Sequence, residues 1–351
     1  MKILHTADLH IRSKDDPRWK TLELLIDIAK NEDVNIMVIC GDLFDTEVAA
    51  ENIRVELRDI FSGNPFHTLI IPGNHDVDAY STGYYFGDKV TVFSSKNIQD
   101  NKYIEGNACF MGLPYQELDS VSVANLLLNL SNWLPQDCIN IILYHGELLD
   151  TFYSREDFGS EGESRYMPTR LSFFRDLPIN YVLAGHFHSN FDVYEIANEK
   201  YFVYPGSPIS ITKRELGQRC INLFELGDHP RKFPIDTHHF KQIRITLYPD
   251  GDSDPLRIVE EKLGQAHPEA NVLLTIDGYI RLEETQFSNN IKALCKDKPV
   301  EIDNRVKDFR KIISDPLYEL FIQKLLEEIQ DEDEIGEIKQ LVIKAMIEAQ
   351  L

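Results

Sequence analysis

The 351-residue chain has no apolar run near the ~20 residues that cross a bilayer, so no membrane span is expected. Its N-terminal MKILHTADLH turns polar after four residues, which is not the pattern of a signal peptide. The five cysteines, Cys40, Cys109, Cys138, Cys220 and Cys295, are far apart and never form C-x-x-C. That excludes a thiolate zinc cage and a disulfide framework, and suits reduced thiols in a cytoplasmic protein. Positive charge is short as well: 36 Lys and Arg against 58 Asp and Glu give a net charge of −22. Such a surface lacks the counterion-release term that drives simple nucleic-acid binding. Any action on nucleic acid would need positive charge supplied locally, by bound metal or a basic partner, with distant carboxylates screened over ~8 Å at physiological salt. The sequence shows no internal repeat and no low-complexity segment. What is present, 43% hydrophobic and 10% aromatic residues, is the composition of a globular protein, and the length suits one large domain plus a smaller one, or two modest ones.

Five apolar runs in the first two thirds end alike. KILHTADLH ends in Asp8 and His10, NIMVICGDLFD in Gly41 and Asp42, and TLIIPGNHD in Asn74, His75 and Asp76. NIILYHGEL reaches His145, and NYVLAGHFH reaches His186 and His188. Short runs rich in Ile, Val and Leu, closed by glycine or a polar turn, read as strands buried on both faces. Between them, WKTLELLIDIAK places Leu22, Leu25, Ile26 and Ala29 on one helical face, and VANLLLNLSNWL is compatible with a buried helix. Alternating strands and helices predict a layered α/β domain whose functional groups gather beyond the strand ends.

This domain is expected over residues 1–228, followed by LGDHPRKFPIDTHH, a stretch rich in turn formers that reads as a connection. Residues 238–310 then read as strand, helix, strand, helix, strand, a small α/β unit without a catalytic cluster. Residues 311–351 carry two amphipathic helical patterns separated by the acidic DEDE, the first with Leu317, Leu320, Phe321 and Leu325 on one side. That segment suits either a helical pair packed on its own chain or a dock for a partner.

Collected, Asp8, His10, Asp42, Asn74, His145, His186 and His188 offer two carboxylates, one amide oxygen and four imidazoles. Such a donor set suits Mn, Fe or Zn. It exceeds what one ion needs and suits two sharing a carboxylate, about 3.5–4 Å apart, which together clamp phosphoryl oxygens and activate water. In D-x-H and H-x-H, alternate residues of an extended segment would face one way, so each pair could address one centre. The glycines at 41, 73 and 185 would permit close backbone approach at the strand ends. An isolated H-x-H occurs by chance; five such endings in this order carry the inference.

This ordered set resembles the calcineurin-like metallophosphoesterases over roughly residues 1–225. HTADLH, GDLFD, PGNHD, GHFH and the downstream YPGSP are similar to the nucleases of the SbcD and meiotic recombination eleven type, and the small α/β unit stands where they carry a capping domain. The resemblance implies that Asp8, His10, Asp42 and His188 bind one metal and Asp42, Asn74, His145 and His186 the second, with Asp42 bridging. His75 would act on the scissile phosphate or its leaving oxygen, and Asp76 would orient it. It further implies two Mn ions (Mg, Fe or Zn being alternatives), exonuclease and endonuclease action on DNA in repair, a homodimer, and an SMC-like ATPase partner of the SbcC type.

The chain also departs from the pattern. Ile11-Arg12 stands where the family often has Leu-Gly, leaving Arg12 either a phosphate contact or a solvated charge. Asp45 stands where several archaeal relatives carry histidine, whereas the SbcD branch has Asp, which favours the SbcD side. Lys213 and Arg214 are the other candidate phosphate contacts, against a solvated basic pair, and the loop TFYSREDFGSEGESRYMP suits either substrate contact or a mobile surface. His5 suits a core or supporting role; His67, His229, His238, His239 and His267 suit structural or surface roles. Two other functions remain open: a phosphodiesterase or phosphatase on a small molecule or protein, which the same metal centre would serve, and a subunit that mainly organises a repair or defence complex.

Overall fold

In the computed structural model of the protein, the described residues are 1–80, 85–95, 97–151, 165–248, 254–296 and 298–350. The chain divides into two units, Met1–His239 and Phe240–Leu351.

In the first unit the apolar runs form two six-stranded sheets. One has the order β12 (Lys232–Pro234), β11 (Cys220–Glu225), β1 (Lys2–Thr6), β2 (Ile36–Cys40), β3 (His67–Ile71), β4 (Val90–Val92). The other runs β5 (Lys102–Glu105), β6 (Ala108–Leu113), β7 (Ile139–His145), β8 (Tyr181–Gly185), β10 (Lys200–Tyr204), β9 (Asp192–Ala197). β1 to β4 are parallel, as are β6, β7, β8 and β10, while the remaining edge pairings are antiparallel.

Strand alternation sorts these runs into three apolar layers. Ile3, Ile36, Val38 and Leu69 of the first sheet meet Phe110, Ile141, Leu143 and Leu183 of the second in a core between the sheets. The opposite face of the first sheet packs on helices α1 (Pro17–Asn31) and α2 (Glu47–Phe61) through Leu22, Leu25, Ile26, Ile53 and Leu57. The outer face of the second sheet meets α3 (Ser120–Ser131) and α4 (Leu171–Phe174) through Val123, Leu127, Leu130 and Phe174. Burial on both faces explains why the strands read as unbroken apolar runs. α3 is only half buried, since Val121 and Leu128 face outward.

Local chemistry starts the helices. Asp16 accepts the Arg18 N–H at 2.9 Å with Pro17 in the first turn, and Asp119 accepts the Ser122 N–H at 2.8 Å. Each satisfies an amide that the helix itself cannot pair. The stretch read as a connection after residue 225 contains β12, an edge strand. Pro234 is tolerated there because an edge leaves amides unpaired anyway.

In the second unit, β13 (His239–Leu247), β14 (Ala270–Ile280) and β15 (Val300–Asn304) form a sheet with β16 (Lys307–Asp308) against β14. Helices α5 (Pro255–Gly264) and α6 (Glu284–Leu294) cover it through Val259, Phe287 and Ile291. Then α7 (Arg310–Ile313), α8 (Pro316–Glu328) and α9 (Glu332–Gln350) pack around Phe309, Ile312, Tyr318 and Ile343. The buried stripe of α8 is Tyr318, Ile322 and Leu325, whereas Leu317 and Leu320 are 67% and 56% exposed. The helix carries two apolar stripes, and hydropathy alone does not say which one finds a partner in its own chain.

The sheets approach closely at Gly185. A Cβ there would lie 1.9 Å from the Cys40 carbonyl oxygen and 2.7 Å from the Ala7 Cβ, both on the first-sheet side. Gly185→Ala is therefore expected to destabilise the protein by ~3 kcal/mol or more, measured as a fall in the urea unfolding midpoint. An unchanged midpoint would mean that the sheets do not meet there.

Candidate metal centre

The C-terminal ends of β1, β2, β3, β7 and β8 deliver the candidate residues. Beyond β1 and β2 the chains pair closely, with the Asp8 N–H donating to Gly41 O at 3.1 Å and the His10 N–H to Asp42 O at 2.9 Å. The extended geometry expected for D-x-H and H-x-H is not what brings these groups together. Asp8, His10, Asp42 and His186 adopt φ of 56°, 50°, 50° and 95°, the left-handed region that costs a non-glycine residue roughly 1–3 kcal/mol. Successive left-handed turns, rather than strand alternation, bring the donors round to one point.

Both carboxylates are buried. Asp8 accepts the His186 N–H through Oδ1 at 3.0 Å and Oδ2 at 3.1 Å, and Asp42 Oδ1 accepts the His75 N–H at 2.9 Å. Around them, ligand-type atoms of Asp8, His10 and His188, of Asp8, Asp42 and His145, and of His10, Asp42 and His75 form groups within 4.8 Å of one another. Asn74 Oδ1 lies 3.0 Å from His145 Nε2, and the His186 ring lies 5.3 Å from that of His145. His75, unlike His10, His145 and His186, is exposed; its ring stands 4.8 Å from that of His10.

Lone pairs face one another here in a way that a cation completes. His145 Nδ1 lies 2.9 Å from the Cys40 carbonyl oxygen, which only accepts, so Nδ1 carries the proton. In neutral His145 the Nε2 lone pair then points at Asn74 Oδ1 and, 3.3 Å away, at Asp42 Oδ2, a buried oxygen with no hydrogen bond. His10 Nε2 and His188 Nε2 lie 3.3 Å apart. Two carboxylates, an amide oxygen and imidazoles with their ring nitrogens turned inward fit divalent cations.

The electrostatics agree. Burial pushes the Asp8 carboxyl up to about 6 against the pull of His188 and His145. Burial also opposes ionisation of Asp42, but the charges of His145, His10 and His75 outweigh it and hold Asp42 below the usual carboxylate range. His145 is disfavoured as a cation by burial, yet Asp42 and Asp8 raise it to about 10. Asp42 thus draws positive charge toward it, here onto the His145 imidazole, and a divalent cation would take that place.

The remaining candidates fall into place around this centre. Asp76 is fully buried and accepts from the Gly73 N–H (2.7 Å), the Phe44 N–H (3.2 Å) and the Tyr80 hydroxyl (3.1 Å). Burial, reinforced by Asp42, raises it to about 7. It braces the loop that carries His75 through these bonds to Gly73 and Phe44. Arg12 is 60% exposed and pairs with Asp45, Nε to Oδ2 at 3.0 Å. Lys213 and Arg214 project from an exposed turn. His5 is fully buried, and its burial lowers it to about 3, a core residue. The proposed substrate loop after His145 lies largely outside the described residues.

Four supporting residues were not visible in the sequence: Arg18, Ser207, Glu215 and Arg219. Arg18 Nη1 donates to His10 O at 2.6 Å, and the Ser207 hydroxyl lies 2.9 Å from Asp8 O. Glu215 and Arg219 are buried beside His188. Charged residues without a periodic or motif context read as solvated, so only YPGSP, which contains Ser207, offered any signal.

The sequence profile of the calcineurin-like phosphoesterases matches residues 1–190. The chain belongs to that family. It is a metal-dependent phosphodiester hydrolase, and the geometry above supplies its candidate ligands. The chain is also 24% identical over 338 residues to the DNA double-strand break repair protein Mre11 of Sulfurisphaera tokodaii, covering 87% of this chain and 82% of that one. A second Mre11, from Sulfolobus acidocaldarius, is 27% identical over 209 residues, covering 54% and 50%. Among solved structures, TT1561 of Thermus thermophilus aligns with a TM-score of 0.41 and 14% identity, covering 63% of this chain and 93% of that one.

Mn added at 100 times its Kd is expected to stabilise the folded protein by about 2.7 kcal/mol per ion, read as a rise in melting temperature that EDTA reverses. Asp42→Asn is expected to abolish that rise. A full rise in the mutant would remove Asp42 from the binding set.

Proposed function

We propose that the protein is a two-metal DNA nuclease that processes DNA ends in repair. The observation that carries this reading is the reach of the similarity to a DNA double-strand break repair protein. At 87% of the chain it extends beyond Met1–His239 into the second unit, which a one-domain phosphodiesterase would not need. The phosphatase pattern G-D-x-V-D-R-G and G-N-H-E is also absent, GDLFDTE and GNHD standing in its place.

In this reading Asp8, His10, Asp42 and His188 hold one ion and Asp42, Asn74, His145 and His186 the other, with Asp42 shared. Bound ions, Mn by preference, supply Lewis-acid charge and a nucleophilic water. Asp8 and Asp42, fixed by the His186 and His75 amides, keep the two ligand groups in register. His75, exposed at the rim beside His10, meets the phosphate, where imidazolium offsets charge on a phosphoryl oxygen or gives its proton to the leaving oxygen. Asp76 holds the loop that carries it. The ligand set of Asp8, His10, Asp42, Asn74, His145, His186 and His188 does not include His75, so in this reading its removal subtracts chemistry without emptying the centre.

The acidic surface gives the rest of the proposal. A chain at −22 needs another component to hold DNA, and an SMC-like ATPase of the SbcC type, with the nuclease as a homodimer, would supply that charge. The exposed stripe of α8, Leu317 with Leu320, is the candidate dock.

His75→Ala is expected to lower Mn-dependent cleavage of linear and hairpin DNA roughly 10²–10⁴-fold while Mn binding stays intact. Hydrolysis of a simple phosphodiester with DNA left whole, even with a candidate ATPase added, would keep the metal centre and reject the substrate. Leu317→Asp combined with Leu320→Asp should weaken capture of the ATPase at least tenfold without loss of fold. Unchanged capture would move the dock elsewhere.

A further inference from the structure

We propose that Glu215 is a positioning residue for His188, fixing the ring so that Nε2 faces the metal centre and setting the affinity of the ion held with Asp8 and His10. This rests on the two-metal reading above.

His188 turns Nε2 inward, 3.3 Å from His10 Nε2 and 3.8 Å from Asp8 Oδ1. Its other ring nitrogen, Nδ1, faces away from the centre and lies 3.6 Å from Glu215 Oε1. The Glu215 side chain is only 4% exposed, so its charge must be met by donors. Oε2 accepts the Ile211 N–H at 2.7 Å, and Oε1 accepts from the Thr212 N–H at 3.2 Å and the Thr212 hydroxyl at 3.1 Å. On the remaining side His188 Nδ1, at 3.6 Å, is within ion-pair reach of Oε1 but outside hydrogen-bond distance. A carboxylate on that side favours the proton on Nδ1, which leaves the Nε2 lone pair for a metal and raises its basicity.

Two neighbouring imidazoles are backed differently. His145 has a neutral carbonyl behind it, that of Cys40. His10 has Asp45 at 3.9 Å, but that carboxylate is 24% exposed and also pairs with Arg12 and Arg18. Of these three imidazoles, His188 has the buried carboxylate at its back.

The His188 backbone is held from the same direction. Arg219, buried four residues further on, donates Nε to Ser207 O at 2.9 Å, Nη1 to Ser189 O at 3.0 Å and Nη2 to His188 O. The Ser207 N–H also donates to His188 O, at 3.0 Å. Glu215 thus acts on the ring and Arg219 on the peptide that carries it. Glu215 also caps its own turn, so a purely local role is the competing account, and the two accounts differ in what a substitution does to each ion.

The test is a Mn(II) titration of the full chain, counting free Mn by electron paramagnetic resonance, together with the metal-free melting temperature. Wild type is expected to bind two ions. Glu215→Gln should weaken one of them roughly 10–100-fold and spare the other, with the metal-free melting temperature little changed. Glu215→Asp, which keeps the charge but withdraws it by one methylene, should fall between, and it carries the test if Glu215→Gln does not fold. Two ions bound as in wild type by either folded variant would overturn the proposal. So would equal weakening of both ions together with a large fall in metal-free stability, the signature of a turn cap alone. Fewer than two ions in wild type would instead refute the two-metal reading, and the proposal with it.

Discussion

Two carboxylates, Asp8 and Asp42, are buried side by side where the parallel strands of two mixed sheets end, and most of the local structure follows from making that tolerable. Removing such charges from water costs several kcal/mol each unless hydrogen bonds and opposite charge replace the solvent. The amides of His186 and His75 supply the hydrogen bonds, and a ring of imidazoles supplies partial compensation. Divalent cations would complete it. The left-handed backbone at Asp8, His10, Asp42 and His186 is the geometric consequence, because each loop must aim a side chain and a neighbouring peptide at the same small volume.

The same constraint explains the glycines. Gly41 combines a φ of 88° with a Cβ position 1.9 Å from the His145 ring, and Gly73 would place a Cβ 2.1 Å from Asp42 Oδ1. Neither could carry a side chain without expelling a donor. The sheets accordingly approach closely where the candidate donors sit, between three packed apolar layers. Rigidity matters for phosphoryl chemistry, because ions a few ångströms apart stabilise charge only when their separation is held by the protein.

An acidic protein whose similarity points to DNA is less paradoxical in this light. In the two-metal reading the buried carboxylates would hold cations, and those cations would present positive charge to a phosphate. Exposed carboxylates further away are screened within about a Debye length. The second unit and its helices then have room for a different task. Leu317 and Leu320 remain exposed on α8 while Tyr318 and Leu325 are satisfied within the chain.

From the sequence alone came the α/β layering, because strands buried on both faces must read as continuous apolar runs, and the donor set, because its members fall at the ends of those runs. The helix face of Leu22, Leu25, Ile26 and Ala29 was equally plain, since a 3.6-residue period survives in one dimension. Tertiary structure decided what period and motif do not encode: the left-handed turns that replace strand alternation, the stripe of α8 that is buried, and β12 within an apparent linker. It also decided the fate of Glu215 and Arg219, charged residues that composition assigns to solvent. They are buried because contacts such as that of Ser207 with Asp8, 199 residues apart, fold YPGSP and the turn beyond it beneath His188. A local pattern records what a residue can donate, but whether its charge meets water or a metal ligand depends on which distant segment covers it.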